Sequence, residues 1–491
     1  MSTVVDRPLG FFERISDRVS PILVRELQQA VTARAFAVTL GVASLAVMMM
    51  AVAFTWSDPL WRSGEMGRDA LGWCVICLAP IAVVVVPLQS LTGMRQEVVG
   101  GTAEQLLLTK IRPSRVALGK VAAGLAQFAV YLGVFAPLFG LAYLLRGVSF
   151  GSILLILYFG FLSNIAATAF AVAMGSLGKR RNQQQAAQAL ASIVLFSTAT
   201  GLMGGSYELI REFDQLLRAA EFWPVVLSVT VTFVLGTWLS ILIATAVLSH
   251  PYENRSTPFR VFGLGALVVG ALWLIFVMDR GSRPESAGYL SATLALLLFP
   301  IWLWAPCEEE ALSPRVRRYV PRRAGLLLAP FLPGGGRGLM YVILLGGLGI
   351  ALATVLPYLS SRVIHRSAGY ATAAWLYAPF AGGLARAIRG RLPEGKRWSV
   401  VSFTTTLILF FVLSLGAQVV QIFSRHASGG EWSVLQVFNP FWTVFEGGPG
   451  WFHIAVLGVV GGLLLLIGLP SIFRGLKEVA RAAAERRALV D

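Results

Sequence analysis

Runs of about 20 apolar residues, divided by short polar links, recur along the whole chain. A bilayer core about 30 Å thick needs that length of helix to cross it, and lipid offers no partner for a bare peptide group. The runs therefore predict an all-α polytopic membrane protein. They cover 36–56, 70–92, 119–145, 151–177, 185–206 and 224–248, then 261–278, 289–306, 339–358, 370–386, 398–423 and 451–473, about twelve spans in all. The run 370–386 is the weakest, being broken by Pro379, Gly382 and Gly383. Composition agrees: 13% of residues are charged, against about 25% in soluble chains, and the mean hydropathy is +0.71.

The net charge is +16. Its distribution fits the inside loops of a membrane protein better than nucleic-acid binding. With the N-terminus inside, the inside loops hold Arg95 to Lys120, Lys179 to Arg181, Arg315 to Arg323 and Arg386 to Arg397, and the C-terminal tail is also basic. The acidic stretch Tyr207–Phe222 falls outside. Both termini are thus expected in the cytoplasm. SSRVIHRS, after the ninth run, is basic and falls on the wrong side. The first 35 residues carry charges throughout and hold no apolar leader core, so the chain's own spans are expected to direct insertion.

This reading divides the chain into a tail and interfacial helix (1–35), a six-span region (36–248) with a cytoplasmic loop at 95–120, a polar link (249–260), a second six-span region (261–473) and a basic tail (474–491). Ser20–Phe36 reads as a helix lying on the inner leaflet, capped by Ser20 with Pro21 in its first turn. Leu23, Val24, Leu27, Ala30 and Val31 form its apolar face; Arg25, Glu26, Gln28, Gln29 and Arg34 form the polar one.

Catalytic and metal signatures are missing from the sequence. The four histidines are dispersed, and no HExxH, GxSxG or phosphate-cradling GxxxxGK[ST] occurs. Of the three cysteines, Cys74 and Cys77 sit in an apolar run and Cys307 stands alone, so no disulfide framework is expected. All 25 acidic residues fall in loops, tails or span ends, whereas ion-coupled carriers place ionisable groups at bilayer depth. Gln127, Asn164, Gln418 and Gln421 read as helix glue, and Gly458 and Gly462 as a close-packing pair. Gly334–Gly336 reads as a hinge, and Glu308, Glu309 and Glu310 as a solvated charge run.

The segment Gln96–Lys120, QEVVGGTAEQLLLTKIRPSRVALGK, has leucines enough to touch a bilayer and charges enough not to cross it. A short helix fits Thr102–Thr109, with Pro113 ending the turn and Ser114 capping the next helix. Held between two spans, such a helix would act as a lever. The order E-x3-GT-x-E-x-LLLT, then P-x-R and GK, resembles the coupling-helix region of permeases of the type-2 ABC exporter family. Glu97, Gly101, Thr102, Glu104, Leu106, Leu107, Leu108, Thr109, Pro113, Arg115, Gly119 and Lys120 carry the match, with Arg112 beside them. The helix before the first span, with Leu23, Val24, Arg25, Glu26 and Leu27, looks like that family's connecting helix. The likeness covers roughly residues 20–250 and departs at Lys110, where the family usually has proline.

The resemblance implies a multi-pass permease in the bacterial cytoplasmic membrane, exporting a substrate under the drive of a separate ATPase subunit. ATP would bind on that partner, and this chain would hold no cofactor and no catalytic centre. The lipid bilayer is its other partner; a homodimer, a sister permease and a single complete pore all fit. In the second half, CEEEALSPRVRRYVPRR occupies the equivalent loop, either as a second coupling loop or as a basic cluster that only sets topology. A secondary carrier or channel, and a polytopic enzyme or scaffold, are the alternative classes.

Overall fold

The computed structural model describes residues 21–56, 66–101, 105, 112–145, 147–177, 181–219, 222–250, 253–279, 284–320, 328–361, 366–393, 395, 399–410, 412 and 451–488. These residues are helical or in short links, and no strand occurs among them. Nine helices among them are long and apolar enough to cross a membrane, and Ser291–Cys307 and Ser399–Phe410 are shorter apolar helices. Large apolar side chains point outward, as on Val38, Val42, Leu45 and Met48 of the first long helix and Val459, Leu463 and Ile467 of the last. Water would penalise such a surface; lipid does not. The chain is a multi-pass helical membrane protein.

It divides into two compact units, Met1–Ser249 and His250–Asp491, the boundary lying at the start of the polar link. In the first unit, α1 (Pro21–Thr32) leads into α2 (Arg34–Trp56). Then come α3 (Met66–Pro80), a π-helical segment (Ile81–Val85) and α4 (Val86–Val99) as one continuous rod. α5 (Pro113–Leu144), α6 (Phe150–Ser176), α7 (Arg181–Arg218) and α8 (Phe222–Leu248) follow. α6 is the hub, packed against α4, α5, α7 and α8. The side chain of Ser149 caps it, accepting from Ser152 N.

The π segment has a local cause. Val86 N bonds Ile81 O, five residues back. The next donor in that register would be Pro87, which has no N–H. Asn164 on α6 takes that place, its Nδ2 donating to Ala82 O at 2.7 Å. Gln127 on α5 similarly bonds Gln89 on α4 at 3.4 Å. Both amides join helices; Gln418 and Gln421 lie outside the described residues.

α7 runs for 38 residues, about 57 Å and longer than a bilayer core. Most of the acidic stretch expected as an outside loop is its helical continuation, bent at Glu212 (φ −118°, ψ 17°). The sequence shows a loss of hydropathy there, which ends a span but need not end a helix.

The second unit holds α9 (Ser256–Asp279), α10 (Pro284–Trp304) with a 3-10 turn (Ala305–Cys307), the short α11 (Pro314–Tyr319) and a second 3-10 turn (Ala329–Phe331). α12 (Gly335–Ser361), α13 (Arg366–Gly390), α14 (Ser399–Phe410) and α15 (Trp451–Ala488) complete it. α13 contains the weakest apolar run and is nonetheless one helix through Pro379, Gly382 and Gly383. It is the hub of its unit, packed against α10, α12 and α15. Ala371, Ala373, Ala374, Ala378, Ala381 and Ala385 are buried along it. A helix surrounded by other helices is selected for small residues and close approach rather than for contact with lipid tails.

Glycines in this unit behave differently from expectation. A Cβ added at Gly458 or Gly462 would meet nothing within 4 Å, whereas one at Gly461 between them would approach the Phe380 backbone. The Gly334–Gly336 hinge is a packed joint. A Cβ at Gly335 would lie 2.7 Å from both Glu308 O and Pro306 O, and Gly336 and Gly338 abut the backbones of Ser471 and Ala305. Of these glycines, Gly334 alone uses a backbone conformation that side chains resist (φ +138°).

Candidate functional site

The loop between α4 and α5 carries most of the residues singled out by sequence. Gly100 caps α4, its N–H bonding Gln96 O at 2.8 Å, and Gly101 takes the left-handed conformation (φ +73°) that turns the chain away. Gln105 N bonds back to Gly101 O at 3.2 Å, and Gln105 is exposed. Thr102, Glu104, Leu106, Leu107, Leu108 and Lys110 lie outside the described residues. On the far side, Arg112 is extended (φ −72°, ψ 138°) and is the N-cap of α5, with Pro113 as its first residue. The expected cap, Ser114, is instead already inside the helix. Proline's fixed φ and missing N–H suit that first position, so it sets the start two residues earlier. Arg112 and Arg115 are exposed.

Both anchors of this loop are tied together from below. Lys120, in the second turn of α5, is buried and reaches Glu97 on α4 at 3.1 Å and Glu26 on α1 at 2.8 Å. Arg25 adds a longer approach to Glu97, 3.6 Å. Arg95, two residues before Glu97 on α4, donates to Gln184 and Gln188 of α7 at 3.0 and 2.8 Å. A lysine buried with one carboxylate leaves donors to spare, and the second carboxylate takes one of them.

This arrangement corrects the reading of α1. Glu26, assigned to the polar face, is buried on the face that meets α5, while Val31, assigned to the apolar face, is half-exposed. Val24 and Leu27 are partly buried and Arg25 is exposed; the side chain of Leu23 lies outside the described residues. Periodicity sorts side chains by polarity, and a carboxylate with a buried lysine partner defeats the sorting.

The second unit holds a larger cluster where the sequence pattern points to solvent. Glu308 is buried, its Oε2 2.6 Å from Arg260 Nη2 and accepting from Gly334 N at 3.0 Å. Arg260 also donates to the carbonyls of Pro330 (2.8 Å), Leu332 and Gly334 (3.2 Å). Glu310 pairs with Arg386 and accepts from Gly336 N at 2.9 Å. Arg337, fully buried, donates to Glu310 O at 2.7 Å, Gly475 O at 3.0 Å and Glu478 Oε2 at 3.2 Å. These groups join the start of α9, the end of α10, the start of α12, the end of α13 and the extension of α15. Glu308 and Glu310 resemble a solvated surface run because their partners lie far off in the sequence. The signal that could reveal them is an arginine in the first turn of an apolar span, as at Arg260 and Arg337.

Among the described residues, no group of three or more His, Cys, Asp or Glu side chains is placed to hold a metal ion. Both clusters pair cations with carboxylates and join helix ends within their own unit. No family model, curated protein or solved structure matches the chain.

Proposed function

We propose that the chain is the transmembrane permease subunit of an ATP-binding-cassette exporter, with about twelve spans and both termini in the cytoplasm of a bacterial cell. A separate ATPase subunit pushes on the 102–109 segment and drives a substrate out of the cytoplasm. ATP binds the partner only.

The observation that carries this reading is the tie of Lys120 to Glu97 and Glu26. A lever is useful only if its ends cannot slip. Glu97 precedes the segment, Lys120 follows it, and Glu26 belongs to the helix before the first long span. A push between Gly101 and Arg112 is therefore delivered to α4, α5 and α1 as a group. The sequence order GT-x-E-x-LLLT supplies the likeness to a known coupling region, and exposed Arg112 and Arg115 supply charge for a partner.

The test is purification of the full chain with its ATPase, followed by Glu104→Lys and Arg115→Glu. Each reversal is expected to weaken retention of the ATPase at least about tenfold, as like charges are brought together at an interface, while insertion is unchanged. Full binding and full ATP-dependent transport in both variants would remove this loop from the mechanism. Uphill flux in liposomes containing this chain alone would establish the carrier class instead.

A further inference from the structure

We infer that Arg389, Ser399 and Arg474, at the basic end of the second unit, form a binding site for a phosphate group that carries net negative charge. The inference stands apart from the permease reading and holds for a membrane protein of any class.

Uncompensated charge is the first support. Arg260, Arg337 and Arg386 each reach a carboxylate, on Glu308, Glu478 and Glu310 respectively. Arg389 is buried more deeply than Arg386 and has no carboxylate partner among the described residues. Its Nη1 donates to two carbonyls of the link that follows α13, Leu392 O at 3.2 Å and Pro393 O at 2.8 Å, and its Nε meets no acceptor. An arginine keeps its proton in a protein, so burial cannot neutralise it. A buried cation is stable only beside an anion, and carbonyl dipoles do not supply one.

Ser399 is the second support. α13 and α14 are joined by a short link and run antiparallel, and Ser402 Oγ donates to Ala385 O at 3.4 Å. Arg389 lies one turn after Ala385, and Ser399 one turn before Ser402. The two therefore stand at the same level of the hairpin. Ser399 is buried, and its Oγ also meets no partner. Buried hydroxyls are rarely left so, and this one can donate to the anion that Arg389 requires.

Arg474 closes the group from α15. A Cβ at Gly461 would approach the Phe380 backbone, and one at Gly383 would meet Leu464, so α13 and α15 lie side by side with their ends pointing the same way. That register brings Arg474 out one turn beyond Arg389, and Arg386 is close enough to feel the charge of both. Arg474 is exposed and has no carboxylate partner among the described residues. Glu309, partly buried just beyond α10, pairs with neither arginine. Two guanidinium forks and a hydroxyl suit the several oxygens of a phosphate better than a single-point anion.

Depth points to the source. Leu466, Ile467, Leu469 and Phe473 are exposed immediately before Arg474, so the lipid-facing surface of α15 ends here. A phospholipid headgroup presents its phosphate at that level, and basic pockets between spans bind such groups. Free phosphate in solution has the same chemistry and reaches the same end.

The test uses the full chain, purified in detergent and stripped of lipid. Native mass spectrometry reads adducts on titration with phosphatidylglycerol, phosphatidylcholine or inorganic phosphate. Wild type is expected to bind phosphatidylglycerol about tenfold more tightly than phosphatidylcholine. Arg389→Gln and Arg474→Gln are each expected to weaken that binding about tenfold and to leave phosphatidylcholine unchanged. Arg389→Lys, which keeps the charge and loses the fork, should fall between. Arg474→Gln alters an exposed side chain, so it reads the site even where Arg389→Gln does not fold. Arg318→Gln, an exposed arginine of α11, controls for non-specific attraction and is expected to change nothing. Inorganic phosphate bound by wild type and lost in Arg389→Gln and Arg474→Gln, with no preference for phosphatidylglycerol, would keep the site and assign it to a soluble phosphate. Binding undiminished in both of those variants, an equal loss in Arg318→Gln, or a wild type that takes neither phosphate nor phosphatidylglycerol in preference to phosphatidylcholine would overturn the site.

Discussion

Arg260 and Glu308 meet at 2.6 Å with both side chains buried, and the same carboxylate oxygen accepts from Gly334 N. The pair joins the start of α9, the end of α10 and the approach to α12. Removing either partner would leave a charge without its counter-ion. Arg260→Ala and Glu308→Ala are each expected to lower stability by about 3–5 kcal/mol. Arg260→Met combined with Glu308→Leu should recover most of that loss. Thermal unfolding in detergent, followed by tryptophan fluorescence, checks this, and a double variant as unstable as the singles would deny the pair its role.

Lys120 serves two carboxylates from one ammonium. Lys120→Met strands Glu26, leaves Glu97 with the longer approach of Arg25 at 3.6 Å, and is expected to cost about 3–5 kcal/mol. Lys120→Met/Glu97→Gln, which removes one of the two carboxylate charges, should fold better than Lys120→Met alone. The comparison is read from the monodisperse fraction in size-exclusion chromatography; equal fractions would show that the two charges do not interact.

Asn164 supplies a donor where Pro87 cannot. Asn164→Leu leaves Ala82 O without that bond in the π segment, and the expected loss is about 0.6–2 kcal/mol, the range for hydrogen bonds between membrane helices. Hydrogen exchange should rise in Ile81–Val85 and stay unchanged in α8. Unchanged exchange at the π segment would mean that the bond does not hold it.

Gly338 and Gly458 look alike in sequence, each a glycine in an apolar helix. Gly338→Ala would drive a methyl group into the Ala305 carbonyl, whereas Gly458 has open space beside it. Gly338→Ala is expected to destabilise by about 1–3 kcal/mol, and Gly458→Ala by nothing or to stabilise slightly through helix propensity. Equal melting points for the two variants would contradict the packed joint.

Much of the fold is legible in local pattern. Apolar runs of span length announce long helices at α2, α5, α6 and α8, and Pro21 announces a helix start. The pattern fails where a property is shared between distant residues. α13 looks weak because alanine and glycine lower its hydropathy, and those same residues let it sit among α10, α12 and α15. Of the candidate site, Glu97 and Lys120 stand out in sequence as charges in a loop region; their joining with Glu26 does not.

By itself the sequence determined the solvent and the class. Length and hydropathy are properties of a continuous stretch, and a stretch of about 20 apolar residues has one stable way to satisfy its backbone in lipid. The tertiary structure alone decided which charges are buried, which glycines bear contact and which faces pack. Lys120 and Glu26 are 94 positions apart, and Arg260 and Glu308 are 48. A buried charge is stable only beside its counter-charge, and no window of sequence holds both.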